Sequence, residues 1–209
     1  MKDTPASARA PMLRADGSLR HLLTLDGLPR PLLERLLERS QHWARPLGAA
    51  PARGTALQGI TVATLFTEPS TRTRVSFELA AQRLGADVAS VEVQLSSRLK
   101  GESMLDTVHT LESLHVDVFV LRDAQADVPD LVARNVAPHV SVLSGGAGSH
   151  AHPTQGLLDT LTILQHKGRL AGLTVAICGD IANSRVARSN LLLLGAMQVR
   201  TRVIAPRTL

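Results

Sequence analysis

Ile60-Thr-Val-Ala-Thr-Leu-Phe66 runs directly into Thr67-Glu-Pro-Ser-Thr-Arg-Thr-Arg-Val-Ser-Phe-Glu-Leu-Ala-Ala-Gln-Arg-Leu-Gly85. The first of these runs is apolar and carries β-branched residues, as a buried strand does. Thr73–Gly85 then changes to helical spacing and closes on a glycine, the usual stop for a helix. A strand that hands over to a helix through a polar turn is the first half of a βαβ unit.

The same alternation continues downstream. Val88–Leu95 reads as strand, Ser103–Leu114 as helix, and Val116–Leu121 as a short apolar strand of the kind covered on both faces. Val128–Asn135 is helical, Val140–Leu143 a strand, Thr154–His166 a helix, Leu173–Cys178 a strand, Ser184–Leu194 a helix and Val199–Ile204 a strand. Upstream, Pro29–Arg45 places Leu32, Leu33, Leu36, Leu37 and Trp43 at helical spacing. Strand and helix in turn predict an α/β fold with a parallel sheet flanked by helices. Residues 1–18, rich in Ala, Pro, Arg and Ser, read as a mobile N-terminal arm.

Composition narrows the function. The 209 residues are 44% apolar and 20% charged, the balance of a folded globular chain. There are 23 Lys and Arg against 18 Asp and Glu, a net charge of +5. The surplus lies at the ends: +4 over residues 1–55, −3 over 56–170 and +4 over 171–209. Trp43, Phe66, Phe77 and Phe119 are the only aromatics, too few for the stacking platforms of a single-strand nucleic-acid binder. The lone Cys178 excludes a disulfide framework and a Cys-rich zinc site, and its apolar run predicts a small buried hydrophobe. No apolar stretch reaches the roughly 18 residues of a membrane span, and the N-terminus shows no signal-peptide core. The expectation is a cytoplasmic protein that binds neither membrane nor nucleic acid.

Three strand-to-helix junctions carry the polar groups. In Phe66-Thr-Glu-Pro-Ser-Thr-Arg-Thr73, Ser70, Thr71 and Thr73 offer hydroxyls and Arg72 a planar cation, beside the N–H groups of an opening helix. That combination suits a phosphate, without the glycines and Lys of a nucleotide P-loop. The alternative is an ordinary N-cap, which needs only one of these hydroxyls. Arg122 leaves a buried strand, where it serves an anion or pairs with Asp123 or Asp127. In Ser144-Gly-Gly-Ala-Gly-Ser-His-Ala-His-Pro-Thr-Gln155, glycines permit close backbone approach and Pro153 suits a first helical turn. His152 near the helix cap and Gln155, facing back across the same mouth, are donors suited to a carbonyl oxygen that gains charge. His150 and His152 lack a local third ligand, so no metal is expected.

Together these junctions resemble the aspartate/ornithine carbamoyltransferase family, from about Leu19 to the last residue. Phe-x-Glu-x-Ser-Thr-Arg-Thr stands complete at Phe66–Thr73, and His-Pro-Thr-Gln at 152–155 is similar to the aspartate-specific members. Ser96-Ser-Arg-Leu-Lys-Gly-Glu102 resembles the loop lent to a neighbouring subunit, and Gly179-Asp-Ile-Ala-Asn-Ser-Arg-Val-Ala-Arg-Ser-Asn190 the motif whose Arg binds an amino-acid carboxylate.

The resemblance implies that Ser70, Thr71, Arg72 and Thr73 hold the phosphate of carbamoyl phosphate. Thr73, Arg122, His152 and Gln155 would orient and polarise the carbamoyl group. Ser96 and Lys100 would close the site of the adjacent subunit, and Arg185 would take an aspartate carboxylate. Without the resemblance, Lys100 and Arg185 read as solvated surface cations. It further implies transfer of the carbamoyl group to L-aspartate early in pyrimidine synthesis, with no cofactor. A homotrimer is implied, and the Leu19–Pro29 approach is similar to members that assemble with a dihydroorotase or an inactive dihydroorotase-like chain. Asp123 and Asn183 stand where His is frequent, and Ala147 where an acidic residue is.

The expected domains are the arm at 1–18, a carbamoyl-phosphate domain at 19–152 and a partial aspartate domain at 153–209. The second half of the family's aspartate domain has no counterpart here, so a truncated, poorly active carbamoyltransferase is the expectation. Ornithine as acceptor and a non-catalytic anion-binding assembly module are the alternatives.

Overall fold

The structure, a computed structural model, describes residues 10–46, 48–92 and 103–206. In chain order the elements are α1 (Arg30–Trp43), β1 (Thr61–Phe66), α2 (Thr71–Arg83), β2 (Asp87–Glu92) and α3 (Met104–Ser113). There follow β3 (Val118–Asp123), α4 (Val128–Asn135), β4 (Ser141–Ala147), α5 (Pro153–Lys167), β5 (Thr174–Cys178), α6 (Arg185–Ala196) and β6 (Arg200–Ile204). The chain forms two compact units, residues 1–23 with 51–147 and residues 24–50 with 148–209.

The first unit is built on a parallel sheet of order β2-β1-β3-β4. Its strands alternate sides with a period of two and bury both. Ala63, Leu65, Phe119, Leu121, Val140 and Val142 join Val108 of α3 and Val132 of α4 in one cluster. Val62 and Val120 face the other way and meet Ala81 of α2. Helices on both faces are what make an all-parallel sheet stable. At α3, Ser103 and Asp106 form a reciprocal capping box, so this helix starts where its polar residues can answer its own N–H groups.

The edge of β4 is covered by the stretch that directly follows the expected arm. Leu22 N–H donates to Val142 O at 2.9 Å, and Ser144 N–H to Leu22 O at 2.9 Å. The Val142 N–H donates to Nδ1 of His21 at 3.0 Å. Residues 10–18 fold onto the same unit: Leu13 bridges to Leu19, and Ala10, 4% exposed, donates its N–H to Asp130 Oδ1. Residues 10–18 thus take a defined path, held by their own turn, in which Arg14 N–H donates to Ser18 O and Arg20 N–H to Met12 O, and by the Asp130 carboxylate.

His21 is fully buried. Accepting at Nδ1 requires a neutral ring, and burial, aided by the charges of Arg20 and Arg14, lowers its pKa from 6.5 to about 4.

In the second unit, α1 packs on α5 with Leu33 and Leu37 buried. This is why residues 24–50 join the later residues rather than the 19–152 block expected from chain order. Helices α5 and α6 approach closely at Gly156, where a Cβ would lie 2.9 Å from Leu25 Cδ1 and 3.1 Å from Ser189 O. β5 and β6 pair in parallel. Along β5 exposure alternates, and Val203 and Ile204 of β6 are exposed. Cys178 is exposed as well, against the expectation of a buried hydrophobe. A two-stranded sheet with one helix against it leaves its other face open among the described residues.

Candidate functional site

Adjacent parallel strands bring the first two junctions together at the carboxyl edge of the first unit's sheet, the usual place for ligands in such folds. Phe66 is the register partner of Arg122. One residue further the ladder still holds, with Thr67 N–H donating to Arg122 O at 2.9 Å. The chain then turns and opens α2 at Ser70.

Ser70 is the N-cap of α2, yet its side chain makes no capping bond, and the first turn holds no acidic residue. Arg72 and Arg74 stand in this positive end of the helix, where a cation is unfavourable unless an anion answers it. Arg72 is exposed, while Ser70 and Thr73 are half-buried. Arg74 leans toward Glu78 at 3.9 Å, and Glu78 is held by the Thr64 hydroxyl at 3.0 Å. Hydroxyls, opening-turn N–H groups and a solvent-facing guanidinium thus converge on one corner without a carboxylate in the turn.

Arg122 is positioned from the neighbouring strand. Its Nη1 donates to Gly145 O at 3.1 Å and its Nε lies 3.4 Å from Glu68 Oε2. Glu68, which the local sequence did not suggest beside Asp123 and Asp127, is an acidic partner of this guanidinium. Asp123 turns to the Thr67 hydroxyl at 2.7 Å and the Gln125 N–H at 2.8 Å. The glycine-rich stretch expected to leave the sheet stays in β4 as far as Ala147. Leu121 pairs with Ser144 but Asp123 pairs with Ala147, so β4 carries an extra residue there. Such bulges re-aim strand ends beside sites. A side chain at Gly145 would fit tightly: a Cβ would lie 3.3 Å from Phe66 Cζ and 3.4 Å from Leu121 O.

The third junction lies in the second unit. His152 is the N-cap of α5, with Pro153 in the first turn, and is 7% exposed. Its N–H donates to the buried Ser189 hydroxyl at 2.9 Å. Gln155 turns along its own helix rather than across a mouth: its Nε2 donates to Asp159 Oδ1 at 2.9 Å. Asp159 also accepts from Asn190 Nδ2 at 2.8 Å. Arg185 opens α6 above the capping hydroxyl of Ser184 and donates to Gly148 O at 2.8 Å. Asn183 closes its own loop through Asp180, with Nδ2 at 3.1 and 3.0 Å from the two carboxylate oxygens.

Ser96 and Lys100 lie outside the described residues. Among the described residues, no group of three or more His, Cys, Asp or Glu is placed to hold a metal ion, and no helix is long and apolar enough to cross a membrane. Reasoning from the sequence missed Glu68 as a partner of Arg122, Ser189 as a partner of His152 and Asp159 as the partner of Gln155. Only the last had a local signal, the i,i+4 spacing.

Residues 20–165 match the family described as aspartate/ornithine carbamoyltransferase, carbamoyl-P binding domain. The fold is similar to aspartate transcarbamoylase from Trypanosoma cruzi in complex with carbamoyl phosphate, at 36% identity and a TM-score of 0.79, over 91% of this chain and 61% of that one. The complex of that enzyme with N-(phosphonacetyl)-L-aspartic acid matches at 34% identity and a TM-score of 0.80, over 100% and 64%. Its complex with carbamoyl phosphate and aspartate matches at 35% identity and 0.76, over 88% and 56%. The chain therefore spans about three-fifths of the length of these relatives.

Proposed function

The chain belongs to the aspartate/ornithine carbamoyltransferase family, and we propose on that premise that it binds carbamoyl phosphate for transfer of the carbamoyl group to the amine of L-aspartate. The observation that carries this is the Ser70–Thr73 turn: an uncapped, carboxylate-free helix start with Arg72 exposed on it. The phosphate would sit on Ser70, Thr71, Arg72 and Thr73. Arg122, which lies beside the Glu68 carboxylate and donates to the Gly145 carbonyl, would exchange Glu68 for the substrate.

In the reaction the aspartate amine attacks the carbamoyl carbon, the bond from that carbon to the phosphate oxygen breaks, and phosphate leaves with its electron pair. The departing phosphate is a suitable base for the amine proton. Donors held in place by helix starts stabilise the oxyanion without reorganising. Thr73 and Arg122 would serve it from the first unit. We propose the same polarising part for His152 and Gln155, and carboxylate binding for Arg185.

The same reading makes the protein a cytoplasmic enzyme of pyrimidine synthesis. It would act as a homotrimer in which Ser96 and Lys100 serve the neighbouring subunit, with a dihydroorotase or dihydroorotase-like chain as partner. Titration with carbamoyl phosphate tests the central claim. Arg72→Ala should weaken binding about 10- to 100-fold, the worth of a charge-assisted phosphate contact, while the fold stays intact. Unchanged binding would make Arg72 a surface cation and sink the proposal. Product assays with aspartate and ornithine side by side decide the acceptor.

A further inference from the structure

We infer that Asp123 is a positioning residue for phosphate binding, acting through Thr67; this rests on the carbamoyl-phosphate reading of the Ser70–Thr73 turn. Asp123 is 1% exposed. Its two carboxylate oxygens are used on different elements: Oδ2 accepts the Thr67 hydroxyl at 2.7 Å and Oδ1 the Gln125 N–H at 2.8 Å.

Thr67 directly precedes Glu68, which pairs with Arg122, and Asp123 directly follows Arg122. The two side chains therefore join the end of β1 to the end of β3 just where the backbone ladder stops. The last ladder bond is Thr67 N–H to Arg122 O at 2.9 Å. Beyond it, among the described residues, no further backbone bond joins the ends of β1 and β3. The Thr67–Asp123 bond supplies a side-chain link there.

A buried carboxylate is an expensive way to hold two strands together, because its desolvation must be offset by its hydrogen bonds. What a charged, two-sided acceptor adds is direction. It fixes the hydroxyl of Thr67, and with it the start of the turn that leads to Ser70, Thr71, Arg72 and Thr73. Asp123 touches no reacting atom in this account.

The role of a bystander carboxylate differs in its chemistry. Were Asp123 only a negative charge near an anion site, removing it would strengthen phosphate binding. Were it only a structural group, its loss would lower thermal stability and leave the dissociation constant of the folded protein unchanged. A positioning role predicts weaker binding in a protein that is still folded, rescued by a side chain that keeps the geometry. Asn can do this. Its oxygen can accept from Gln125, and its amide can donate to the Thr67 hydroxyl, which then donates to Arg122 O, now 3.3 Å away.

The test measures dissociation constants for carbamoyl phosphate and for inorganic phosphate by calorimetry, well below the unfolding transition of each variant. Asp123→Ala and Thr67→Val should each weaken binding about tenfold, and Asp123→Asn about threefold or less. The double variant Asp123→Ala/Thr67→Val should bind no more weakly than the worse single one, because both remove the same bond. Equal or tighter binding by Asp123→Ala, no rescue by Asn, or losses that multiply in the double variant would each overturn the inference. If the unaltered chain binds neither anion, the proposed function falls and this inference with it. If it binds and the variants bind alike, this inference alone falls.

Discussion

The Nε of Arg122 lies 3.4 Å from Glu68 Oε2, with the Arg side chain 12% exposed and the Glu side chain 29% exposed. The two residues sit on opposite sides of one strand pairing, Glu68 two residues past β1 and Arg122 the penultimate residue of β3. An anion that needs the guanidinium must compete with a carboxylate already in place. Such a partly exposed pair is worth about 1 kcal/mol.

Glu68→Gln should therefore tighten inorganic phosphate binding about fivefold by removing the competitor, and Arg122→Ala should weaken it. Calorimetric titration of the two variants checks both signs. Weaker binding in Glu68→Gln would mean that the carboxylate orients Arg122 more than it occupies it.

His21 makes stability depend on pH. Its folded-state pKa is lowered from 6.5 to about 4, so the unfolded chain binds a proton there more readily than the folded one. The contribution is complete above pH 6.5 and is lost as pH falls from 6.5 through 4, for an upper value of about 3 kcal/mol. Urea unfolding at a series of pH values should show this slope. His21→Asn, which keeps an acceptor for the Val142 N–H but does not titrate, should flatten it. Asp16 and Asp106, both lowered by hydrogen bonds from Ser18 and Ser103, act in the same direction only at lower pH.

Gly156→Ala should destabilise the second unit by about 1–3 kcal/mol, an overpacking cost. The added methyl would meet Leu25 Cδ1 at 2.9 Å and the Ser189 backbone at 3.1 Å. Leu25 can rotate away, but Ser189 O belongs to a helix backbone and cannot. Urea midpoints of the two chains measure the cost, and an unchanged midpoint would show that α6 shifts freely.

Cys178 should react with a thiol reagent in the native protein at a rate within about tenfold of the unfolded chain, as an exposed thiol does. A protected Cys178 would show that the open face of β5 and β6 is covered in solution.

Most of the first unit's fold was legible because its signals are local. Strands such as Thr61–Phe66 and helices such as Val128–Asn135 are set by apolar spacing within a few residues. The make-up of the Ser70–Thr73 turn was legible for the same reason, since its hydroxyls, cation and helix start are contiguous. Boundaries drawn along the chain were not: α1 belongs with the later residues because of what it packs on. Cys178 lies in an apolar run, but exposure along β5 depends on whether a second layer covers the strand, and the run itself carries no such information.

By itself, the sequence determined the order of strands and helices, the chemistry of the Ser70–Thr73 turn and the family. Only tertiary structure decided which charges meet. Arg122 pairs with Glu68 and Asp123 with Thr67 because β1 and β3 lie in parallel register, which aligns residues far apart in the chain. His21 is neutral because a strand edge buries it and donates an N–H to its ring. Periodicity is a property of neighbours along the chain. Partnership and burial are properties of neighbours in space, and no local pattern encodes them.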